Sequence, residues 1–120
     1  MKPQDFYTRT RASQGIRVEM VDPAGNREWV RVRSVVSEEF KQAREAMVLQ
    51  AIADGHAIAT DPAQRKQLAR RRRATLVAAL ISEWSIPVDP VPLLIQNPRL
   101  RRQIELIAEN RTIHFGVTND

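Results

Sequence analysis

The sequence predicts an α+β fold that is mostly α, with an N-terminal β-hairpin followed by three main helices in a small helical bundle. Three observations predict it: alternating apolar residues in residues 16–33, Asp-Pro and Asn-Pro pairs that start helices, and a helically spaced apolar run after residue 74. The 120-residue length fits one domain. We assign residues 16–116 to that domain, residues 1–15 to a flexible N-terminal arm and residues 117–120 to a C-terminal tail.

Residues 16–33 are predicted to form the hairpin. Ile16, Val18 and Met20 alternate with polar residues, which is the period of a half-buried strand. The sequence Asp-Pro-Ala-Gly-Asn at residues 22–26 has the chemistry of a turn. The second strand then places two valines on one face, Val30 and Val32. A lone hairpin is only marginally stable in water, so this one is expected to pack on the helices or to pair with another chain.

Two helices are predicted to follow the hairpin. The first begins after Ser37, a good N-cap residue, and its apolar residues recur at helical spacing: Phe40, Ala43, Met47, Val48 and Ala51. The second begins at Asp61-Pro62 and is predicted to run to about Trp84. Its first half is basic, and Leu76, Leu80 and Trp84 form an apolar stripe along its second half. This stripe is the strongest core signal in the sequence.

Prolines at positions 87, 90 and 92 end that helix and predict an extended segment. Asp89-Pro90 can open a short helical turn that continues through Ile95. Asn97-Pro98 repeats the signal of a cap followed by proline, so a last helix is expected to run to about Asn110. Its predicted inward residues are Leu100, Ile104, Ile107 and Ala108.

Composition narrows the classes of function. The absence of cysteine excludes disulfides, cysteine metal sites and thiol nucleophiles. The longest apolar stretch, residues 76–81, is about a third of the roughly 20 residues that a membrane helix needs. The first residues also lack the apolar core of a signal peptide. We therefore expect a soluble, cytoplasmic protein with no membrane partner.

No set of residues in the sequence suggests an active site. The two histidines, His56 and His114, are far apart, and the carboxylates fit solvated helix faces. The four glycines are scattered, so they form no phosphate-binding loop. The expectation is a protein that binds other proteins, without catalysis, metal or cofactor.

The basic run of residues 70–73 has two interpretations. It could contact the phosphates of a nucleic acid, as the net charge of +5 allows. Successive residues of a helix are about 100° apart, however, so four consecutive arginines cannot all enter one groove. No interleaved aromatic residues accompany them, as a single-strand platform would require. Protein binding is the favoured interpretation, with these candidate partner-binding residues: Trp84, Leu76, Leu80, Arg70, Arg72 and Arg73.

Residues 70–84 (RRRRATLVAALISEW) resemble the central helix of tail assembly chaperones from long-tailed phages. In that family a proline-bearing connection and a Leu-Leu pair follow, here residues 86–92 and 93–94. The last helix starts near an Asn-Pro, here residues 97–98, and an aromatic residue such as Phe115 lies near the end. A hairpin with an Asp-Pro-x-Gly turn precedes the helices, as in this chain. The high arginine content departs from the family.

The resemblance implies a chaperone that coats the tape measure protein, keeps it soluble and recruits tail tube subunits in the host cytoplasm. Such proteins are absent from the mature virion. Action in many copies along one client is compatible with self-association into a homo-oligomer, and the hairpin edge is one candidate contact. The alternatives are a small basic nucleic-acid-binding protein and a structural component of the tail or connector.

Overall fold

The computed structural model describes residues 10–54 and 61–116, and it confirms a mostly helical α+β fold. Its three strands form one antiparallel sheet in the order β1-β2-β3. The strands are β1 (Ile16–Val21), β2 (Arg27–Val32) and β3 (Ile81–Trp84). The helices are α1 (Glu38–Asp54), α2 (Pro62–Ala78), α3 (Pro90–Gln96), α4 (Pro98–Glu109) and α5 (Arg111–Phe115). No helix among the described residues has the length and apolarity needed to cross a membrane.

The predicted hairpin is confirmed as β1 and β2. Val18 lies opposite Val30 in an unbroken antiparallel register. At the turn, the Asn26 N–H donates to the Asp22 carboxylate at 2.7 Å, and Gly25 adopts a φ of +89°. Glycine tolerates this left-handed backbone without a side-chain clash, which is why the Asp-Pro-x-Gly sequence closes the hairpin here.

The predicted extent of the second helix is wrong, because α2 ends at Ala78 and residues 81–84 form β3. In β3, Trp84 lies opposite Val30 and Glu83 lies opposite Arg31. Ile81 and Trp84 favour strands, and the exposed backbone groups of β2 gain hydrogen-bond partners when β3 pairs with it. This pairing outweighs the helical spacing of the apolar residues.

The core lies between the inner face of the sheet and helices α2 to α4. Val30 and Val32 enter it from β2, while α3 supplies Leu94. The helical spacing predicted for α4 is confirmed, because Leu100, Ile104 and Ala108 are buried and Ile107 packs beside them. The remaining members come from the end of α2 and the turn that follows it: Ala74, Val77 and Leu80.

Part of the segment predicted to be a flexible arm packs on the domain. Residues 10–14 are helical, and Ala12 is buried with its carbonyl accepting the Ser34 N–H at 3.0 Å. Gly15 follows with a φ of +74°, and a Cβ there would lie 2.4 Å from the Val32 carbonyl oxygen. Only glycine fits this approach. Residues 1–9 of the predicted arm and the tail at 117–120 lie outside the described residues.

Arg33 connects three parts of the fold. Its Nε donates to the Ser13 carbonyl at 3.1 Å, and its Nη1 donates to the carbonyls of Ala79 at 3.1 Å and Ile81 at 3.4 Å. Because these carbonyls belong to the N-terminal helical segment and the α2–β3 junction, one side chain holds both against the end of β2. The guanidinium suits this role since it carries five donors in a rigid plane.

An Arg33→Met substitution should lower the free energy of unfolding by about 1–3 kcal/mol, because charge-assisted bonds to three carbonyls are lost. Chemical denaturation monitored by circular dichroism measures this difference. The matched control is Arg27→Met, at an exposed position of β2, where a change within about 0.5 kcal/mol is expected. Equal losses in both variants would show that the Arg33 bonds do not stabilise the fold.

Candidate partner-binding surfaces

The three apolar candidate residues do not share one surface. Leu80 is 1% exposed and belongs to the core, so a partner cannot reach it in the folded chain. Leu76 is half-buried on α2. Trp84 is half-buried in β3, and its indole Nε1 donates to the Val88 carbonyl at 3.2 Å. The predicted stripe is divided because α2 ends between Leu76 and Leu80.

The three candidate arginines lie on two sides of α2. Arg72 turns toward α1, where its Nη2 lies 3.2 Å from the Asp54 carboxylate. Arg70 and Arg73 are exposed and line a groove on another side of the helix, one turn apart. The structure thus brings Arg70 and Arg73 together and assigns Arg72 to the contact between α1 and α2.

This groove, which we call the arginine groove, lies between α2 and the junction of α3 with α4. Its cavity has a volume of about 640 Å³. Half-buried Ile95 and exposed Ala69 and Pro98 contribute apolar surface, and Leu94 lies buried beneath it. Arg101 faces the groove from α4. The complete lining is Ala69, Arg70, Arg73, Leu94, Ile95, Gln96, Pro98 and Arg101. An apolar surface rimmed by positive charge suits an amphipathic segment with acidic flanks.

The charges around the arginine groove are only partly compensated. Glu105 accepts a hydrogen bond from Arg101, lies 3.0 Å from Arg102 and lies 3.8 Å from Arg73. A second carboxylate, Glu109, lies 4.0 Å from Arg102. Three guanidinium groups therefore face two carboxylates. Within the described ranges, Arg70 has no carboxylate within 4.0 Å and adds another positive charge.

Sequence reasoning missed the α4 side of the groove. No sequence pattern places Arg101 beside α2, because its link to that helix through Glu105 depends on how the two helices pack. The spacing of Arg101 and Glu105, four residues apart, is the one local signal, since such pairs share a helix face. That spacing predicts the ion pair between Arg101 and Glu105. It does not predict that Arg73 of α2 lies beside the same carboxylate.

A second exposed surface lies on the C-terminal half of α1. Val48, Leu49 and Ile52 are 54%, 68% and 70% exposed, and we call them the α1 patch. The other predicted apolar positions of α1 are half-buried, as Phe40 and Met47 illustrate. An exposed apolar cluster is typical of an interaction site. Residues 55–60, which follow the patch and include His56, lie outside the described residues.

His114 has a structural environment. It is buried, with Nε2 3.0 Å from the Ile107 carbonyl and its ring centroid 5.9 Å from that of Phe115. Burial lowers the pKa of His114 below its usual 6.5, and the Ile107 carbonyl opposes this only in part. Its Nδ1 is buried without a hydrogen-bond partner among the described residues. The neutral ring therefore donates from Nε2, and protonation would bury a charge.

The stability of the fold should therefore fall as the pH decreases below about 6.5. The lowered pKa means that the unfolded chain binds a proton at His114 before the folded chain does. The stability that neutral His114 gives the fold is fully present above pH 6.5. It is lost as the pH falls toward the pKa of His114 in the folded chain. Denaturation midpoints at about pH 7.5 and 5.5 should differ in the wild type and converge in His114→Gln. A His56→Gln control should keep the dependence, and a dependence that persists in His114→Gln would contradict this assignment.

The described residues contain no group of three or more His, Asp or Glu side chains placed to hold a metal ion. Comparison with protein-family profiles, curated proteins and solved structures gives no significant match.

Proposed function

We propose that this chain is a phage tail assembly chaperone that binds the tape measure protein, keeps it soluble and recruits tail tube subunits. The observation that carries the proposal is the arginine groove, in which apolar surface from α3 lies beside uncompensated positive charge from α2. A long helical client exposes apolar surface that would otherwise aggregate. The family resemblance is in the sequence of residues 70–84, of which residues 70–78 are helical, and it supports the tape measure protein as that client.

The groove favours a particular kind of client segment. An amphipathic helix can place an apolar stripe against Ile95 and Pro98, as in other helix-in-groove complexes. Acidic residues beside that stripe then face Arg70 and Arg73. Exposed charges mainly accelerate association and select partners, and they add little affinity in water. Moderate affinity suits a chaperone that tube subunits must displace.

Co-expression with the tape measure protein tests the proposal. The soluble fraction of the client should rise, and the two proteins should co-purify. If the client is no more soluble and nothing co-purifies, the proposal is wrong. Mass spectrometry of purified virions distinguishes the structural alternative, because a chaperone should be absent from the particle and a tail component should be present.

Nucleic-acid binding is the second candidate, and the exposed side of α2 favours it. Lys66, Arg70 and Arg71 are exposed, and the described residues place no carboxylate within 4.0 Å of them. Phosphate contacts would make the affinity fall steeply with added salt. The absence of binding to duplex and single-stranded probes at about 50 mM salt would remove this candidate.

A further inference from the structure

The outer edge of β1 has the backbone groups of an unpaired strand. The order β1-β2-β3 leaves no other strand of the described residues beside it. At the turn, the Asp22 N–H donates to the Asn26 carbonyl at 2.9 Å. This hydrogen-bonded pair fixes which residues of β1 bond to β2 and which point their backbone groups away from it. Counting back from it, every second residue of β1 bonds to β2. The residues between them point their N–H and C=O groups outward: Arg17, Glu19 and Val21.

The same edge presents one positive and one negative side chain, on either side of Val18. Arg17 and Glu19 are exposed on the outer face of the sheet, and neither forms an ion pair within the described part of the chain. On the β2 side, Arg17 lies opposite Arg31, and its guanidinium lies 4.5 Å from the centroid of the Trp29 ring. Because like charges directly opposite are unfavourable, a carboxylate on the free side of Arg17 would be favourable.

The alternation of backbone groups limits how two β1 strands can pair about a two-fold axis. Outward-facing residues must lie opposite each other, and the axes that set charged residues of β1 against each other pass beside Arg17, Val18 or Glu19. An axis at Arg17 or Glu19 places that residue opposite its own copy, which sets like charges against each other. An axis at Val18 places Arg17 opposite the partner's Glu19, and Glu19 opposite the partner's Arg17. Only this register forms two opposite-charge pairs between outward-facing residues.

The inner face of the sheet supports the same register. An axis at Val18 places Ile16 opposite the partner's Met20, so apolar residues meet on the core side. A cavity of about 370 Å³ lies between β1 and α4, and Val18, Met20 and Ile107 are among its lining residues. Val21 and Leu106, which also line it, are 62% and 51% exposed. A paired strand would cover this apolar surface as well as the edge hydrogen bonds.

We infer that two copies of this chain associate through β1, in the register centred on Val18, to form a six-stranded antiparallel sheet with a two-fold axis. Such an interface is self-complementary, as a symmetric dimer requires. The cavity beside β1 and the arginine groove share no lining residue. A dimer can therefore present two client grooves, and the inference does not depend on the identity of the client.

Charge exchange at the two edge residues tests the register. Each single variant, Arg17→Glu or Glu19→Arg, places like charges opposite each other and should raise the dimer dissociation constant at least about tenfold. The double variant Arg17→Glu/Glu19→Arg restores opposite charges and should return the constant to within about threefold of wild type. Sedimentation velocity of the full chain measures the equilibrium between 13.7 kDa and twice that mass. Lys41→Glu, at an exposed position of α1, is the charge-matched control for Arg17→Glu.

Circular dichroism should show that all variants fold, since both positions are exposed. A wild-type chain that stays monomeric at about 100 µM would overturn the dimer, because edge pairing would then contribute too little affinity to matter. A dimer that both single variants leave unchanged would place the contact elsewhere. A double variant as dissociated as the single variants would overturn the register.

Discussion

Replacing Leu80 with alanine is expected to lower the free energy of unfolding by about 3–5 kcal/mol. The side chain is 1% exposed and belongs to the same core cluster as Val30, Val77 and Ile104. The Leu80 carbonyl also accepts the Arg33 N–H at 2.6 Å, so the residue is fixed where α2 gives way to β3. Its neighbours have little freedom to fill the cavity. Chemical denaturation of the two proteins measures the difference.

Leu76→Ala is the matched control, because it makes the same chemical change four residues earlier, at a half-buried position of α2. The expected loss there is about 1–2 kcal/mol, since less surface leaves water on folding. If Leu76, Leu80 and Trp84 lined one exposed stripe, the two alanine variants would behave alike. Equal losses of unfolding free energy would therefore contradict the structure, in which Leu80 is buried in the core and Leu76 is only half-buried.

Reversing the charges of the arginine groove is expected to weaken client binding, because like charges then face each other. The double variant Arg70→Glu/Arg73→Glu should reduce the co-purified tape measure protein at least about tenfold, because attraction to acidic residues becomes repulsion. Both positions are exposed, so the fold should persist. The measurement is the amount of client recovered with the tagged chain after co-expression.

The control for this variant is Lys66→Glu/Arg71→Glu. It makes the same change in net charge on the same helix, at exposed positions that do not line the groove. Client recovery should stay within about threefold of wild type, because neither Lys66 nor Arg71 lines the groove. Equal losses in both double variants would point to a general charge effect. If α2 binds nucleic acid, both double variants should lose binding to a DNA or RNA probe equally.

Local chemistry explains which parts of the fold could be predicted. The side chains of Asp61 and Asp89 each accept an N–H two residues later, and each precedes a proline at the first helical position. Ser37 likewise accepts the Phe40 N–H at 3.4 Å. The helix start at Asn97-Pro98 is also correct, but Asn97 donates to the Leu93 carbonyl at 2.9 Å and closes α3 instead of capping α4.

Contacts between distant segments explain what could not be predicted. The end of α2 depends on β2 as a neighbour for β3, which no local pattern contains. Strand alternation puts Arg33 on the face opposite Val30 and Val32, yet its three carbonyl partners come from segments 20 to 48 residues away. The structure divides the candidate set of Arg70, Arg72 and Arg73, because Arg72 forms an ion pair with Asp54 that depends on how α1 packs.

The most direct test of the central claim, that the arginine groove holds the client, is amide hydrogen exchange of the chain with and without the tape measure protein. The first half of α2 is exposed and should exchange readily when free. Binding is predicted to slow exchange in residues 69–73 and 94–101, on the two sides of the groove. Protection confined to the α1 patch, or to any surface away from these two segments, would contradict the assignment.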